Sequence, residues 1–284
     1  MKKEKKSKKT FALVEKIKED KVSFAVYAII RLIVIFILIR SIFLREWESV
    51  YVCALTLVLL LLPPFIEREL KIELPTGLEI TAFVFVFCAE ILGELGAYYV
   101  KIPLWDTALH TVSGFIFAAF GFCLLDLLNR NKRVNLSPLT LTLVAFCFSM
   151  TVGVLWEFFE FGADLFMSTD MQKDTLVHNL YTVTLDPQQA NNVVAVKDIV
   201  KTVIETADGS IVTLDGYLDT GITDTMKDLF VNFIGAVVFC LCGYIYVTKR
   251  GKRASRIVAG FVPKVTQNEE KEKQLLEETP ENDI

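Results

Sequence analysis

Apolar blocks of about 20 residues constrain this chain more than any other feature of its sequence. They recur along its 284 residues and alternate with polar stretches, a pattern that reflects several separate segments rather than one large core. A block of this length is what an α-helix needs to cross the hydrocarbon core of a bilayer. The sequence therefore predicts an all-α polytopic membrane protein with about six transmembrane helices, and the lipid bilayer is its expected partner.

The predicted spans cover residues 24–44, 48–66, 79–99, 105–128, 138–162 and 225–247. Pro63-Pro64 is expected to end or kink the second span, and Pro138 suits the start of the fifth. The predicted organisation is a basic N-terminal segment (1–23), two N-terminal transmembrane helices (24–66), transmembrane helices three to five (79–163), an outer lobe (164–223), a sixth helix (224–248) and a charged tail (249–284). Apolar spacing from Phe11 to Phe24 favours a helix lying on the membrane surface, and composition favours disorder from Lys264 onward.

Basic residues determine the predicted orientation. Residues 1–21 contain nine Lys and four acids, and further basic clusters occupy residues 129–133 and the segment after the sixth span. With six spans, all these clusters fall on one side, as the positive-inside rule requires. The segment from Asp164 to Thr223, with nine acids and three Lys, falls on the other side. We therefore expect a multi-pass plasma-membrane protein with both termini in the cytoplasm.

The outer segment carries strand and turn signals. Thr175–Leu185 is rich in β-branched and aromatic residues, and Ile199–Leu218 has the pattern of a hairpin with turn residues at 207–210. Asp186-Pro187 supplies a further turn. These signals predict a small β-containing extracytoplasmic insert between spans five and six. The insert is too short for an independent enzyme domain, so we expect it to cap the membrane part.

Several classes of protein are disfavoured by what the sequence contains. All six cysteines lie inside apolar blocks, which predicts buried thiols rather than a disulfide framework, and their spacing does not fit a zinc finger. A serine-hydrolase elbow, a Walker loop and a Rossmann glycine pattern are all missing from the sequence. Nucleic acid is not an expected partner.

Charged residues inside spans are costly and are candidates for function by default. Here they recur with helical spacing in four spans: Glu90 and Glu94 in the third, Asp106 and His110 in the fourth, Glu157, Glu160 and Asp164 in the fifth, and Asp224, Asp228 and Asn232 in the sixth. In the predicted topology, the ends of spans three and five meet the beginnings of spans four and six at the outer level. The sequence therefore predicts one polar cluster near the outer membrane face. Lys227 is expected to point away from the face that Asp224 and Asp228 share.

Oxygen ligands with one imidazole suit Mg²⁺, Mn²⁺ or Ca²⁺, and also Zn²⁺. The candidate metal ligands are Asp106, His110, Glu157, Glu160, Asp224 and Asp228. Asp106, His110, Glu157 and Asp228 are also the candidate catalytic residues, and Glu90, Glu94, Asp164 and Asn232 are candidate supporting residues.

Three kinds of function fit this cluster. With a divalent cation, it would activate water against a phosphoryl or similar ester of an outer-leaflet or envelope substrate. Without a metal, it would shuttle protons or bind a cationic solute, as transporters do. In a structural or partner-binding membrane protein, the acids would serve packing alone.

The chain resembles the YjdF-like membrane proteins and, more distantly, the VanZ-like proteins associated with glycopeptide resistance. The resemblance is carried by Asp106-x-x-x-His110, by Glu157 and Glu160 among aromatic residues, and by Asp224 and Asp228 followed by Asn232-Phe233-Ile234-Gly235-Ala236. It covers residues 79–247. It implies a membrane protein that faces the cell envelope, and it implies no particular activity.

Overall fold

The computed structural model describes residues 21–70, 72–130, 136–248 and 264–265. The helices are α1 (Lys21–Leu44), α2 (Trp47–Leu59), α3 (Leu62–Leu70), α4 (Thr76–Val86), a π-helix (Phe87–Leu95), α5 (Tyr98–Lys101), α6 (Trp105–Arg130), α7 (Pro138–Met167) and α8 (Ile222–Thr248). The strands are β1 (Ile72–Glu73), β2 (Leu176–Val177), β3 (Leu180–Thr182), β4 (Val194–Val196), β5 (Thr202–Glu205), β6 (Ile211–Leu214), β7 (Tyr217–Leu218) and β8 (Lys264–Val265).

Two predictions concern the ends of the chain. The surface helix predicted between Phe11 and Phe24 falls mostly outside the described residues, as does the tail beyond Val265. Disorder was predicted from Lys264 onward, and at Lys264–Val265 this is wrong, because these two residues form β8. A strand of two residues is too short to leave a compositional signal in a charged tail.

Five of the described helical segments are long and apolar enough to cross a membrane. They are Lys21–Leu44, Trp47–Glu69, Trp105–Asp126, Pro138–Met167 and Ile222–Thr248. They correspond to five of the six predicted spans, and they confirm a polytopic helical membrane protein. Pro138 begins α7 as predicted.

The second predicted span contains a break at the diproline. α2 ends at Leu59, α3 begins at Leu62, and Pro63-Pro64 occupies the first turn of α3. Proline fits there because the amides of a first helical turn have no partner within the helix. The predicted end or kink at Pro63-Pro64 is confirmed.

The third predicted span differs from expectation in its helix type. Eleven residues of α4 are followed directly by nine residues of π-helix, so the helix starts at Thr76 and stops at Leu95 rather than running from residue 79 to 99. At its end, the amide of Gly96 donates to the carbonyl of Ile91, five residues back, at 2.9 Å. Ala97 then adopts a left-handed φ of 56°, which ends the helix. A π-helix differs from an α-helix in backbone hydrogen bonding, which apolar periodicity does not reveal.

A short antiparallel pairing connects two distant parts of the chain. β1 pairs with β8, with Ile72 opposite Val265 and Glu73 opposite Lys264. Irregular chain and open strand edges are not tolerated in hydrocarbon, so these paired strands lie on one side of the membrane. The chain must then cross the membrane an even number of times between them. Because α6, α7 and α8 supply three crossings, the pairing favours a fourth by the helix from Thr76 to Leu95.

α6 and α8 approach each other closely at two glycines. A Cβ on Gly114 would lie 2.1 Å from the backbone oxygen of Asn232, and a Cβ on Gly235 would lie 1.9 Å from that of Thr111. Small residues allow this approach in membrane helices. Further along the same helices, the ring of Phe239 meets those of Phe115 and Phe122 edge-to-face, with centroids 5.1 and 5.7 Å apart.

The six cysteines form no disulfide, as predicted. The expectation that every thiol is buried is wrong for Cys147, which is exposed on α7. A membrane helix presents part of its apolar surface to lipid, so an apolar block does not guarantee contact with protein.

The chain divides into two compact units, one formed by Met1–Val152 with Val231–Ile284 and the other by Gly153–Phe230. The second unit contains the end of α7, the insert and the start of α8. In the insert, β2 pairs with β7, β3 with β4 and β5 with β6, all antiparallel. The predicted hairpin is confirmed, because β5 and β6 flank a turn in which Gly209 has a φ of 83°. The pairings of β3 with β4 and of β2 with β7 were not predicted.

The even number of crossings leads to a labelling prediction. In a variant without native cysteines, Lys101→Cys and Ser210→Cys should react with an impermeant thiol reagent on intact cells. Ser137→Cys should react only after permeabilisation, because residue 137 lies on the side of the basic clusters. Protection of residue 101 would exclude the crossing by Thr76–Leu95. Protection at 210 with labelling at 137 would reverse the orientation.

Candidate functional site

The first unit contains the predicted Asp106–His110 pair. Leu104 has a left-handed φ of 64°, and α6 begins at the next residue. Asp106 therefore lies in the first turn of a helix, where the helix dipole favours a negative charge. The spacing of four residues brings the two side chains together on one face of α6, with His110 Nε2 3.4 Å from Asp106 Oδ1.

Asn232, predicted as a supporting residue, lies on α8 and is 1% exposed. Its Oδ1 accepts a hydrogen bond from Ser113 on α6 at 3.4 Å, and its Nδ2 lies 3.6 Å from the sulfur of Met150 on α7. The amide, on α8, is therefore positioned by side chains of two other helices, α6 and α7. This makes Asn232 a well-fixed polar group just inside the predicted acidic level.

The two supporting glutamates of the third predicted span lie on the π-helix. Glu90 is half-buried and Glu94 is exposed. π-Helical segments are often found at functional sites in proteins. The predicted spacing on one α-helical face does not apply to Glu90 and Glu94, because the helix changes type at Phe87.

In the second unit, acids and aromatic residues lie on different faces of the end of α7. Glu157 and Glu160 are 4% and 7% exposed, whereas the aromatic residues around them are exposed: Trp156, Phe158, Phe159 and Phe161. Trp156 also donates from its indole nitrogen to Glu160 Oε1 at 2.7 Å. The carboxylates are therefore on the inward face of the helix and the rings on the face available to lipid, the reverse of the burial pattern of a soluble protein.

The start of α8 places Asp224, Asp228 and Asn232 on one face, as predicted. Asp228 is 1% exposed and lies deeper along the helix than Asp224. Lys227 was expected to point away from this face, and that expectation is wrong. Its Nζ lies 3.3 Å from Asp224 Oδ1 and 3.8 Å from Asp228 Oδ1. The four-carbon stem of lysine lets the ammonium reach back along the helix, which residue spacing alone does not reveal.

Asp164 and Asp224 both anchor the insert. Asp164 accepts hydrogen bonds from the amides of Met171 and Gln172 at 2.6 and 2.8 Å, and Asp224 accepts one from the amide of Lys173 at 3.0 Å. The side-chain amide of Gln172 also donates to the hydroxyl of Thr225 at 2.6 Å. These two carboxylates therefore hold the chain where it leaves α7 and returns to α8.

Asp219 has a similar anchoring role that was not predicted. It accepts hydrogen bonds from the amides of Thr175, Gly221 and Thr223 at 2.8, 3.2 and 3.1 Å. Burial raises the pKa of this carboxyl, but the hydrogen bonds from Thr223, Thr175 and Gly221 outweigh it and leave the pKa below its usual range. The available signal was an Asp followed by Thr-Gly just before a helix, because Asp side chains commonly accept hydrogen bonds from backbone amides two residues further on.

Asp186 organises the turn between β3 and β4. The amides of Asn192, Gln188 and Ala190 donate to it at 3.0, 3.1 and 2.8 Å, and these bonds lower the pKa of its carboxyl. In the β5–β6 turn, the Thr206 hydroxyl and the Ser210 amide lower the pKa of Asp208 to about 2. The insert is therefore built around ionised carboxylates that accept backbone hydrogen bonds.

The donor chemistry of the predicted residues suits a hard cation. Asp106 and His110 offer a carboxylate and an imidazole in the first unit, and Glu157, Glu160 and Asp228 offer buried carboxylates in the second. Carboxylate oxygens with one imidazole are ligands for Mg²⁺, Mn²⁺, Ca²⁺ or Zn²⁺. Lys227 contacts both Asp224 and Asp228 and would compete with a cation for these two carboxylates.

Comparison with known proteins gives a family and one relative. The model of the family described as "Predicted membrane protein (DUF2238)" matches residues 26–249 and corresponds to the YjdF-like proteins, which confirms that resemblance. An uncharacterized protein of Thermotoga maritima is 28% identical over 102 residues, which are 36% of this chain and 52% of that protein. The chain thus matches only about half the length of this relative. No solved structure matches the chain. The more distant resemblance to VanZ-like proteins is not confirmed.

The hydrogen-bonded turn at Asp186 predicts a pH-dependent insert. Because folding lowers the pKa of this carboxyl, its contribution to stability is present above the unfolded-state pKa of about 3.9 and is lost as the pH falls through the lower folded-state value. Asp186→Asn should lower the hydrogen-exchange protection of residues 188–192 roughly two- to tenfold at pH 7. The effect should shrink as the pH falls through the folded-state pKa of Asp186. Asp215→Asn, an exposed acid of the same insert, is the control, and equal effects of both substitutions would contradict the prediction.

Proposed function

The chain belongs to the DUF2238 family of predicted membrane proteins, and we propose that its Asp, Glu and His residues bind a divalent cation for phosphoryl or ester transfer chemistry at the outer membrane face. The substrate would be an outer-leaflet lipid or another ester of the cell envelope, attacked by water or by a second hydroxyl group. The proposed ligands are Asp106, His110, Glu157, Glu160, Asp224 and Asp228.

The observation that carries this proposal is the reversed burial at the end of α7. Glu157 and Glu160 are buried while the neighbouring Phe158, Phe159 and Phe161 are exposed. A rotation of the helix by half a turn would bury the rings and expose the acids. A sequence that instead keeps acids inside, against the cost of desolvating them, is typical of a functional site in a membrane protein.

Charge balance supports a cation. Four acids at the helix ends of the second unit are proposed ligands, Glu157, Glu160, Asp224 and Asp228, and Lys227 adds one positive charge to them. Four carboxylates cannot all ionise in a small, partly desolvated volume unless more positive charge is present. A divalent ion supplies two charges and accepts several oxygen ligands at once.

The remaining residues suit the chemistry that a bound cation would support. The cation itself would lower the pKa of a bound water and polarise a phosphoryl or carbonyl oxygen. Asp106, on the same face as His110, would orient the imidazole and stabilise its protonated form. Because Nε2 faces Asp106, His110 has one ring nitrogen left, which would either ligate the cation or accept the proton of the attacking water. Glu157 and Asp228 would hold the reacting group in position.

A proton- or cation-coupled transporter is the second candidate. It is favoured by two acids far from the outer cluster, Glu79 and Asp126, which are 7% and 3% exposed on α4 and α6. A transporter also needs a polar path through the protein. Between Asn232 and the far end of α8, the interior instead contains the edge-to-face rings of Phe115, Phe122 and Phe239, which favours a site open to one side.

The cation proposal predicts a lower melting temperature when the ion is removed. A chelator should lower the melting temperature of the purified wild-type protein, and Glu157→Gln and His110→Ala should each lower it by roughly 5 °C or more and abolish the response to chelator. If both residues hold one ion, either substitution should reduce the metal content to near zero. Glu205→Gln, an exposed acid of β5, is the matched control and should behave as wild type.

The opposite result would come from a cluster that is protonated rather than metal-bound. In that case Glu157→Gln would melt higher than the wild type, and no metal would copurify. Lys227→Met adds a further distinction. It should increase the occupancy of a bound cation by removing its competitor, whereas without a cation it should only destabilise the protein.

The insert should act as a cap that the proposed activity requires. Replacing residues 170–218 with a flexible linker removes the amides of Met171, Gln172 and Lys173 that bind Asp164 and Asp224. The helices should remain inserted, as tested by labelling at residue 137, and hydrolysis of a phosphate-ester substrate should be lost. Replacing only residues 201–215, which form the β5–β6 hairpin, keeps these anchors and should preserve more of the activity. Full activity of the larger deletion would contradict the prediction.

A further inference from the structure

We infer that the end of α1 forms a binding site for the headgroup of a phospholipid. A cavity of about 330 Å³ lies between the end of α1, the start of α2 and the end of the π-helix. Its polar lining includes Arg40, Glu46 and Ser49, and its apolar lining includes Ile37, Ile91 and Leu95. This volume is at the lower end of the range for small-molecule sites. None of these residues belongs to the proposed cation cluster, so the inference is independent of the proposed function.

The cavity lies at a membrane surface. Ser23, near the start of α1, donates a hydrogen bond to Glu79, near the start of α4, so both helices begin on the side of β1. The end of α1 therefore lies on the opposite side. Around the cavity, Phe43, Trp47 and Tyr51 are 82%, 67% and 64% exposed. Exposed Trp and Tyr at a helix end are typical of the level at which lipid headgroups lie.

Arg40 provides the charge that a phosphate requires. Its side chain is 57% exposed, and the ion pair that the structure describes for it joins Nη1 to Glu46 Oε2 at 3.4 Å. This distance is longer than the 2.7–2.9 Å typical of a strong charge-assisted hydrogen bond, and a guanidinium has five N–H donors. Donors therefore remain for phosphate oxygens, and the Ser49 hydroxyl lies in the same lining.

The other residues that line the cavity determine which kind of phosphate group fits it best. The carboxylate of Glu46 disfavours a second nearby negative charge, so a phosphodiester with one charge fits better than a free phosphate with nearly two. Ile37 and Leu95, which are only partly buried, would face water beside a free phosphate. The glycerol and first methylene groups of a phospholipid would cover them instead, which removes apolar surface from water and favours binding.

The test uses the purified full-length protein in a neutral detergent, with dihexanoylphosphatidylglycerol as a short-chain phosphodiester probe. Binding should be saturable for the wild type. Arg40→Gln should weaken it about tenfold, the factor expected for loss of one charge-assisted hydrogen bond. Arg45→Gln removes the same charge from an exposed neighbour outside the lining and should leave binding unchanged.

A second variant separates binding from folding. Ser49→Asp adds a negative charge in the first turn of α2, where the helix dipole stabilises it, so the melting temperature should not fall. Binding of the probe should nevertheless weaken at least as much as in Arg40→Gln. Equal binding by Arg40→Gln and Arg45→Gln would overturn the inference. So would equal competition by inorganic phosphate, which would indicate a free-anion site, or by dihexanoylglycerol, which would indicate an apolar groove.

Discussion

The cost of exposing carboxylates to lipid is the constraint on which the rest of this structure depends. A charged side chain at the centre of a bilayer costs about 2.5–3.5 kcal/mol even on the mildest scales. α7 meets this constraint by turning Glu157 and Glu160 inward and leaving its outer face to Trp and Phe. On α8, Asp228 and Asn232 share the inward face with Gly235, which contacts α6. The face that carries the acids is therefore also the face that packs, and a substitution among these residues will affect both packing and chemistry.

Much of the fold could be predicted because single features of the sequence determine it. The apolar blocks predicted the long helices, and Pro63-Pro64 predicted the break between α2 and α3. The turn residues 207–210 predicted the β5–β6 turn. The missed features depend on partners distant in the sequence or on the reach of flexible side chains. The β1–β8 pairing joins strands of two residues each, and Lys227 reaches both Asp224 and Asp228 through a stem whose conformation spacing does not determine. For the same reason, the candidate residues could be named from helical spacing, but their hydrogen-bond partners could not.

The acids at the helix ends fall into two groups according to depth. Asp164, Asp219 and Asp224 accept hydrogen bonds from backbone amides of the insert and of the first turn of α8, so their carboxylates have a structural role in the folded protein. Glu157 and Asp228 lie one to two turns deeper and are almost fully buried. Asp164 and Glu157 lie on α7, and Asp224 and Asp228 lie on α8, so the outer acids hold the insert at the ends of the same helices that carry the buried carboxylates. A substitution of Asp164 or Asp224 should therefore disturb both the structure of the insert and the positions of Glu157 and Asp228.

The β1–β8 pairing also has a consequence for how the protein is made. β1 leaves the ribosome before α6, α7 and α8 have been synthesised, whereas β8 follows all of them. The two strands can therefore pair only after the last helix has been inserted into the bilayer with the correct orientation. In a chain that stalls, or that inserts one helix the wrong way round, β8 is missing or stays on the other side, and β1 keeps an open edge. The pairing thus distinguishes a chain with all its helices correctly inserted from one without, because only the first leaves no open edge at β1.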